Sequence, residues 1–194
     1  MFYHGFLKEG EIMFVTPIII IAAVLIFAWM LYNGLVGKKL RVDEAESQID
    51  VQLKRRSDLI PNLVETVKGY AKHEKSVFEN VTKARSALMS AKTVQDKADA
   101  NNQLASALKS ILAVAEAYPE LKASENFKAL HEEVTDTEDK VAYSRQFYNN
   151  VVMDYNTSLK VFPNVVVAPM LGFKQAEFFG DVTQDEKKAP KVNF

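Results

Sequence analysis

Ile18-Ile19-Ile20-Ile21-Ala22-Ala23-Val24-Leu25-Ile26-Phe27-Ala28-Trp29-Met30-Leu31 is the centre of a longer run, Ile12 to Val36, that holds no charged residue. As a helix, roughly 20 apolar residues cross a hydrocarbon core of about 30 Å. A helix packed in a soluble core has no need to be apolar on every face. The run therefore predicts a transmembrane helix over residues 12–36, behind a short external leader, 1–11. A cleaved signal peptide fits less well. Its apolar region is about 7–15 residues and ends in a small-x-small site, whereas Leu31-Tyr32-Asn33-Gly34-Leu35-Val36 offers none and the leader carries Glu9 and Glu11 beside Lys8. Lipoprotein processing needs a cysteine, and the chain has none.

The flanking cations give an orientation. Lys38, Lys39 and Arg41 follow the run and only Lys8 precedes it. Positive flanks stay in the cytoplasm, so the N-terminus is expected outside and the body inside. Trp29 and Tyr32 then fall near the inner interface, where amphipathic rings are favoured. Met13 is a second possible start, and beginning there leaves the topology intact.

An anchor and one domain fit within 194 residues. The net charge of −1 gives no basic excess to attract nucleic acid. Without cysteine there are no disulfides, thiolate metal sites or cysteine nucleophiles. Glycine is missing between Gly69 and Gly172, and the chain is rich in Ala, Leu, Glu and Lys. Long helices follow from that. The fold class expected is all-α: the N-terminal transmembrane helix, then an antiparallel bundle of three long helices over 37–180 with a short C-terminal element, and a polar tail, 181–194.

The first bundle helix is expected from Gly37 to about Ala91, because Ile49, Leu53, Ile60, Leu63, Val67, Tyr70, Val77, Val81, Ala84 and Leu88 recur at helical spacing. Pro61 removes a backbone donor and crowds the turn before it, near Ser57. Helix hairpins need a polar loop of about 2–8 residues, and Leu59-Ile60-Pro61-Asn62-Leu63 is too apolar for one, so the reading is a kinked but continuous rod reaching roughly 80 Å. Thr93 is a plausible N-cap for a second helix, Val94 to Tyr118, ended by Pro119. A third runs from Ser124 to Phe162, striped by Phe127, Leu130, Val134, Val141, Tyr148, Val151, Tyr155 and Leu159, and is stopped by Pro163. Such stripes are used by facing one another, and any uncovered stretch would be buried against a second copy. Residues 163–180, with Phe173, Phe178 and Phe179, either fold back on the bundle or offer an apolar contact.

These residues resemble the LemA family. The resemblance starts at Tyr32-Asn33-Gly34-Leu35-Val36 and runs through Ala45-Glu46-Ser47-Gln48-Ile49-Asp50-Val51-Gln52-Leu53-Lys54-Arg55-Arg56. It is most specific at Asp58-Leu59-Ile60-Pro61-Asn62-Leu63-Val64-Glu65-Thr66-Val67-Lys68-Gly69-Tyr70-Ala71. Ala117-Tyr118-Pro119-Glu120-Leu121-Lys122, Thr137-Glu138-Asp139-Lys140-Val141-Ala142, Arg145, Tyr148-Asn149, Tyr155-Asn156, Phe162-Pro163 and Gly172-Phe173 continue it. Ser57 stands where the family often has an aromatic, and Phe179 falls in what is often a Tyr-Phe pair. The resemblance implies a bacterial membrane protein with one N-terminal helix, a short external N-terminus and a cytoplasmic helical domain. It implies no reaction.

The residues themselves point away from catalysis. A di-iron bundle needs Glu-x-x-His pairs, but Tyr70 and Lys128 precede His73 and His131 by three. Neither His-Glu pair continues to a second His at the zinc-hydrolase spacing. No nucleophile elbow or phosphate loop occurs. No catalytic residue, metal or cofactor is expected. Arg56, Asp58, Asn62, Arg85, Glu138, Arg145, Asn149 and Asn156 lie on or beside apolar stripes, where buried polar groups must be paired. The candidate structural or interaction residues are therefore Arg56, Asp58, Pro61 and Asn62 around the proline, Arg145, Tyr148, Asn149, Tyr155 and Asn156 on the last long helix, and Phe173, Phe178 and Phe179 beyond it. Arg56 and Asp58 flank a carbonyl that loses its donor to Pro61 and needs another. The partners expected are the lipid bilayer and further copies of the chain, with a protein partner of unknown kind possible and no nucleic acid. The function expected is a non-catalytic membrane scaffold acting by self-association. The alternative is a tethered adaptor for a signalling or proteolytic partner. A pore is disfavoured, because a single span without a polar face would line a lumen with apolar groups.

Overall fold

The computed structural model describes residues 9–180, and side chains from Val15 onward; most of the expected leader, and the tail 181–194, lie outside the described residues. Six helices make up the described residues: α1 (Glu9–Tyr70), α2 (Lys75–Ser90), α3 (Val94–Ala117), α4 (Pro119–Ala123), α5 (Glu125–Lys160) and α6 (Asn164–Met170). The class is as the sequence predicts: all-α, an apolar N-terminal helix leading into an antiparallel bundle.

α1 is one helix of 62 residues that passes through both Pro17 and Pro61. Its apolar window is wholly uncovered by the rest of the protein. Cover begins in the last turns of the charge-free run, with Leu31 half-buried and Leu35, Val42, Ala45 and Ile49 buried. A helix this apolar, with none of its apolar window buried by the bundle, is long enough to cross a membrane.

The bundle has four long helices rather than three. The rod expected to run on to Ala91 turns at Ala71–Glu74, and α2 comes back along α1. Arg85, on the returning helix, reaches the Ser57 carbonyl of the outgoing one. Gly69 weakens the helix just before the turn, and Lys72-His73-Glu74-Lys75 is the polar loop that a helix hairpin requires. Lys68 closes the corner, its ammonium 5.8 Å from the centroid of the buried Phe78 ring, an attractive cation–π contact. The stand-off from Gly37 to Tyr70 is thus about 50 Å, not roughly 80 Å.

The order is up, down, up, down. Arg56 bonds Asn101, and Lys97 bonds Glu46 and Asp50, so α3 runs parallel to α1. α5 runs antiparallel, pairing Lys38 with Asp154 and Arg56 with Glu138. The core packs α1 on α5 and α2 on α3. Its stripes are Phe78, Val81, Ala84 and Leu88 on α2, and Leu104, Leu108, Ile111 and Ala115 on α3. Each fully buried Leu or Ile contributes about 1.5–3 kcal/mol. Thr93 caps α3 as expected, with a reciprocal box: its hydroxyl accepts from the Asp96 amide at 3.1 Å and its own amide donates to the Asp96 carboxylate at 3.4 Å. Ser124 holds the cap position of α5, but its side chain makes no capping bond.

An even number of long helices returns the chain to the membrane end. There α6 packs on the end of α5, and just beyond it the Phe173 ring meets the Tyr32 ring of α1 at 5.8 Å, near the end of the apolar run. A strap without regular structure follows α6 and lies along α5 up to Gly180. Gly172 and Gly180 bound it, both with positive φ, 78° and 75°, where a side chain would be strained.

Candidate functional site

The polar candidates resolve into two sets of staples, one between helices and one between α5 and the strap. Arg56 is the first. It lies on the buried stripe of α1 and is 1% exposed. Its Nη1 donates to Asn101 Oδ1 of α3 at 3.0 Å, and Nη2 lies 3.4 Å from Glu138 Oε2 of α5, close enough for an ion pair but without hydrogen-bond geometry. One side chain thus ties three helices. Burial pulls Arg56 below the usual guanidinium range, and the Glu138 charge opposes that. The next layer toward the membrane holds Lys97. Burial alone would lower it, but hydrogen bonds to Asp50 and Glu46, and their charges, outweigh burial and leave it raised.

Pro61 explains the second contact at this level. With no N–H, it cannot donate to the carbonyl of Ser57 one turn earlier. Ser57 is fully buried, so water cannot substitute. Arg85 of α2 does: its Nε donates to the Ser57 carbonyl at 2.9 Å. The sequence locates the orphaned carbonyl, and the donor comes from α2 rather than from Arg56 or Asp58. Two substitutions should therefore couple. Arg85→Met in the native background leaves a buried carbonyl without a donor and is expected to cost about 1–2 kcal/mol. With Pro61→Ala present the helix supplies its own N–H, and the loss should shrink by about 1 kcal/mol in a double-mutant cycle, measured by thermal unfolding in mild detergent. Purely additive losses would show that the bond carries no weight.

The second set is on α5. Tyr148-Asn149 recurs seven residues later as Tyr155-Asn156. Asn156 Nδ2 donates to the Ala176 carbonyl at 2.9 Å while its Oδ1 accepts from the Ala176 amide at 2.9 Å. Asn149 treats Phe179 alike, accepting its amide at 2.8 Å and donating to its carbonyl at 3.5 Å. Tyr148 donates to the Glu177 carbonyl at 2.8 Å, and Tyr155 to the Lys174 carbonyl at 3.0 Å. The spacing works because seven helical residues rise about 10.5 Å, and three extended residues span about 10 Å. Each heptad of α5 thus meets three residues of strap. Burial, aided by the charges of Glu46, Glu177 and Asp43, pushes Tyr148 well up. Burial and Asp43 raise Tyr155 against the opposing charge of Lys39. Both phenols therefore keep the protons they donate. The strap ends with Phe179 2% exposed and Gly180 beside Ala98 of α3.

The other candidates are scattered. Asp58 pairs with Lys54 at 3.1 Å on the exposed face of α1. Asn62 borders a shallow hollow with Glu65, Asn126 and Glu133. Arg145 is half-buried one turn before Tyr148 and has a partner of its own. Phe173 and Phe178 pack partly against the core. His131 stacks on Phe127 with ring centroids 6.1 Å apart. What these groups do chemically is hold backbone and helices in place. The sequence reading passed over Lys97, although its place four residues after the Thr93 cap puts it on the first turns of α3 facing α1.

The model of the LemA family matches residues 45–194 of this chain. Among similar proteins, magnetosome protein MamQ of Magnetospirillum gryphiswaldense is 23% identical over 87% of this chain and 72% of its own. Magnetosome protein MamQ 2 of Paramagnetospirillum magneticum is 25% identical over 89% and 74%. Protein LemA of Metamycoplasma hominis is 24% identical over 76% and 68%. The matched region takes in both sets of staples, Pro61, the turn at Ala71–Glu74 and the strap, and by that match the chain belongs to the LemA family.

Proposed function

We propose that this is a single-pass protein of the bacterial cell membrane whose bundle stands in the cytoplasm and organises the membrane by self-association, without catalysis. The orientation rests on Lys38, Lys39 and Arg41 at the inner flank. The observation that carries the self-association is an apolar seam between α1 and α5, well clear of the span. Tyr143 is 72% exposed and Val51 is also exposed. They border one groove together with Gln48, Gln52, Asp139 and Lys140. Phe147, a turn further along α5, is exposed as well. A second copy, fixed to the same membrane, meets such a seam at high effective concentration, so weak contacts suffice. Two of the relatives are named for a structure, the magnetosome, and not for a reaction.

The full-length protein in mild detergent is expected to show a mass above the monomer that rises with concentration. Tyr143→Lys with Val51→Lys should weaken the association by at least about 2 kcal/mol, roughly 30-fold, if the seam is its centre. A strict monomer at every concentration would overturn the proposal. Crosslinking in cells separates it from the adaptor reading, since self-crosslinks are expected and dominance of one foreign protein would favour the adaptor.

A further inference from the structure

We infer that α6 is a second membrane contact, an interfacial element whose outer face lies in the leaflet on the bundle side of the span. This rests on the membrane anchor proposed above, but not on self-association.

Four observations meet here. The first is position: the Phe173–Tyr32 ring contact at 5.8 Å sets the segment at the level of the last turns of the apolar run. Leu31, inside that run, is half-buried, so the protein's own cover reaches up into the span. The second is composition: no charged residue occurs between Lys160 and Lys174. The third is the way α6 is mounted. Ala168 is buried against the bundle, and Asn164 Nδ2 donates to the Ser158 carbonyl at 2.9 Å, fixing α6 to the end of α5. The opposite side presents Phe162, Val165, Val166 and Met170 at helical spacing, with Phe162 84% and Met170 81% exposed. Both sides of this short helix are therefore apolar, and only one is covered by protein. The fourth is the surround: Lys160 and Lys174 flank the segment and are exposed. Lys38, Lys39 and Arg41 follow the span at the same end.

An apolar face beside a transmembrane helix, edged by lysines, has the character of an interfacial anchor. Apolar side chains enter the acyl boundary and the cations remain among the headgroups. A water-exposed patch of this kind would be a liability, whereas continuity with the span gives it an occupant. The strap gives the arrangement its stiffness, since the clamps on Ala176 and Phe179 fix the chain just beyond α6.

The absence of cysteine allows single labels to be placed cleanly. Val166→Cys, Met170→Cys, Val24→Cys and, at an exposed position of α3, Glu116→Cys, each carrying a nitroxide, would be reconstituted as full-length protein in vesicles of phosphatidylcholine and phosphatidylglycerol. Collision with oxygen and with a water-soluble nickel complex would then be compared by power saturation. Labels at 166 and 170 are expected to lose access to nickel and keep access to oxygen, as at 24, while the label at 116 stays open to nickel. Nickel access at 166 and 170 with Val24 protected would overturn the inference and leave the anchor standing. So would spin–spin broadening at 166 or 170 that vanishes on dilution with unlabelled protein, because a second copy would then be the occupant. Nickel access at Val24 itself would overturn the anchor and the inference together.

Discussion

Replacing Asn149 and Asn156 together by alanine is expected to detach the strap and cost the bundle about 3 kcal/mol. Each asparagine makes two hydrogen bonds to one backbone unit, and each bond contributes about 1 kcal/mol net. The bond at 3.5 Å contributes least. If Phe179 leaves the core as well, its burial adds about 1.5–3 kcal/mol to the loss. The direct measurement is amide hydrogen exchange at Ala176 and Phe179, whose N–H groups donate to the two side chains. Both are expected to lose protection while the amides of α1 and α3 keep theirs. Unchanged protection at both would show that the strap is held by its aromatic residues and that the clamps are incidental.

Arg56→Ala should be about as damaging, near 3 kcal/mol, and for a different reason. Glu138 remains half in solvent when its partner goes, so a stranded charge contributes little. The cost is the cavity left by the largest fully buried side chain in the protein among the described residues, and large-to-alanine changes in a core cost about 2–5 kcal/mol. Arg56→Met fills most of that volume without a charge to desolvate. Replacing a buried ion pair by apolar volume is often neutral or stabilising, so the methionine variant should unfold close to the native midpoint. Loss of equal size in both variants would place the energy in the guanidinium and its two partners.

The parts of the fold written in local chemistry were legible in the sequence. The charge-free run at 12–36, the Thr93 cap and the stripes of α3 and α5 each depend on neighbours within one or two turns. The turn at Ala71–Glu74 was missed because Val67, Val77 and Val81 keep helical spacing across it, so periodicity ran on where the chain did not. The polar run at 72–75 behind Gly69 was the better signal. Pro61 marks an orphaned carbonyl in the sequence, but the donor, Arg85, is distant along the chain and no local pattern pairs the two. The Tyr-Asn repeat was visible as polar residues on a buried stripe. Its partner was not, because the strap is irregular and offers only backbone, which carries no signature in side chains.

The unbroken course of α1 makes the protein a lever. One helix joins the lipid to the far corner of the bundle, with no hinge between. A spanning helix commonly leans by about 20°. Over an arm of about 50 Å such a lean carries the tip sideways by roughly 17 Å. A bilayer that thins or thickens under the span would thereby move the corner at Ala71–Glu74.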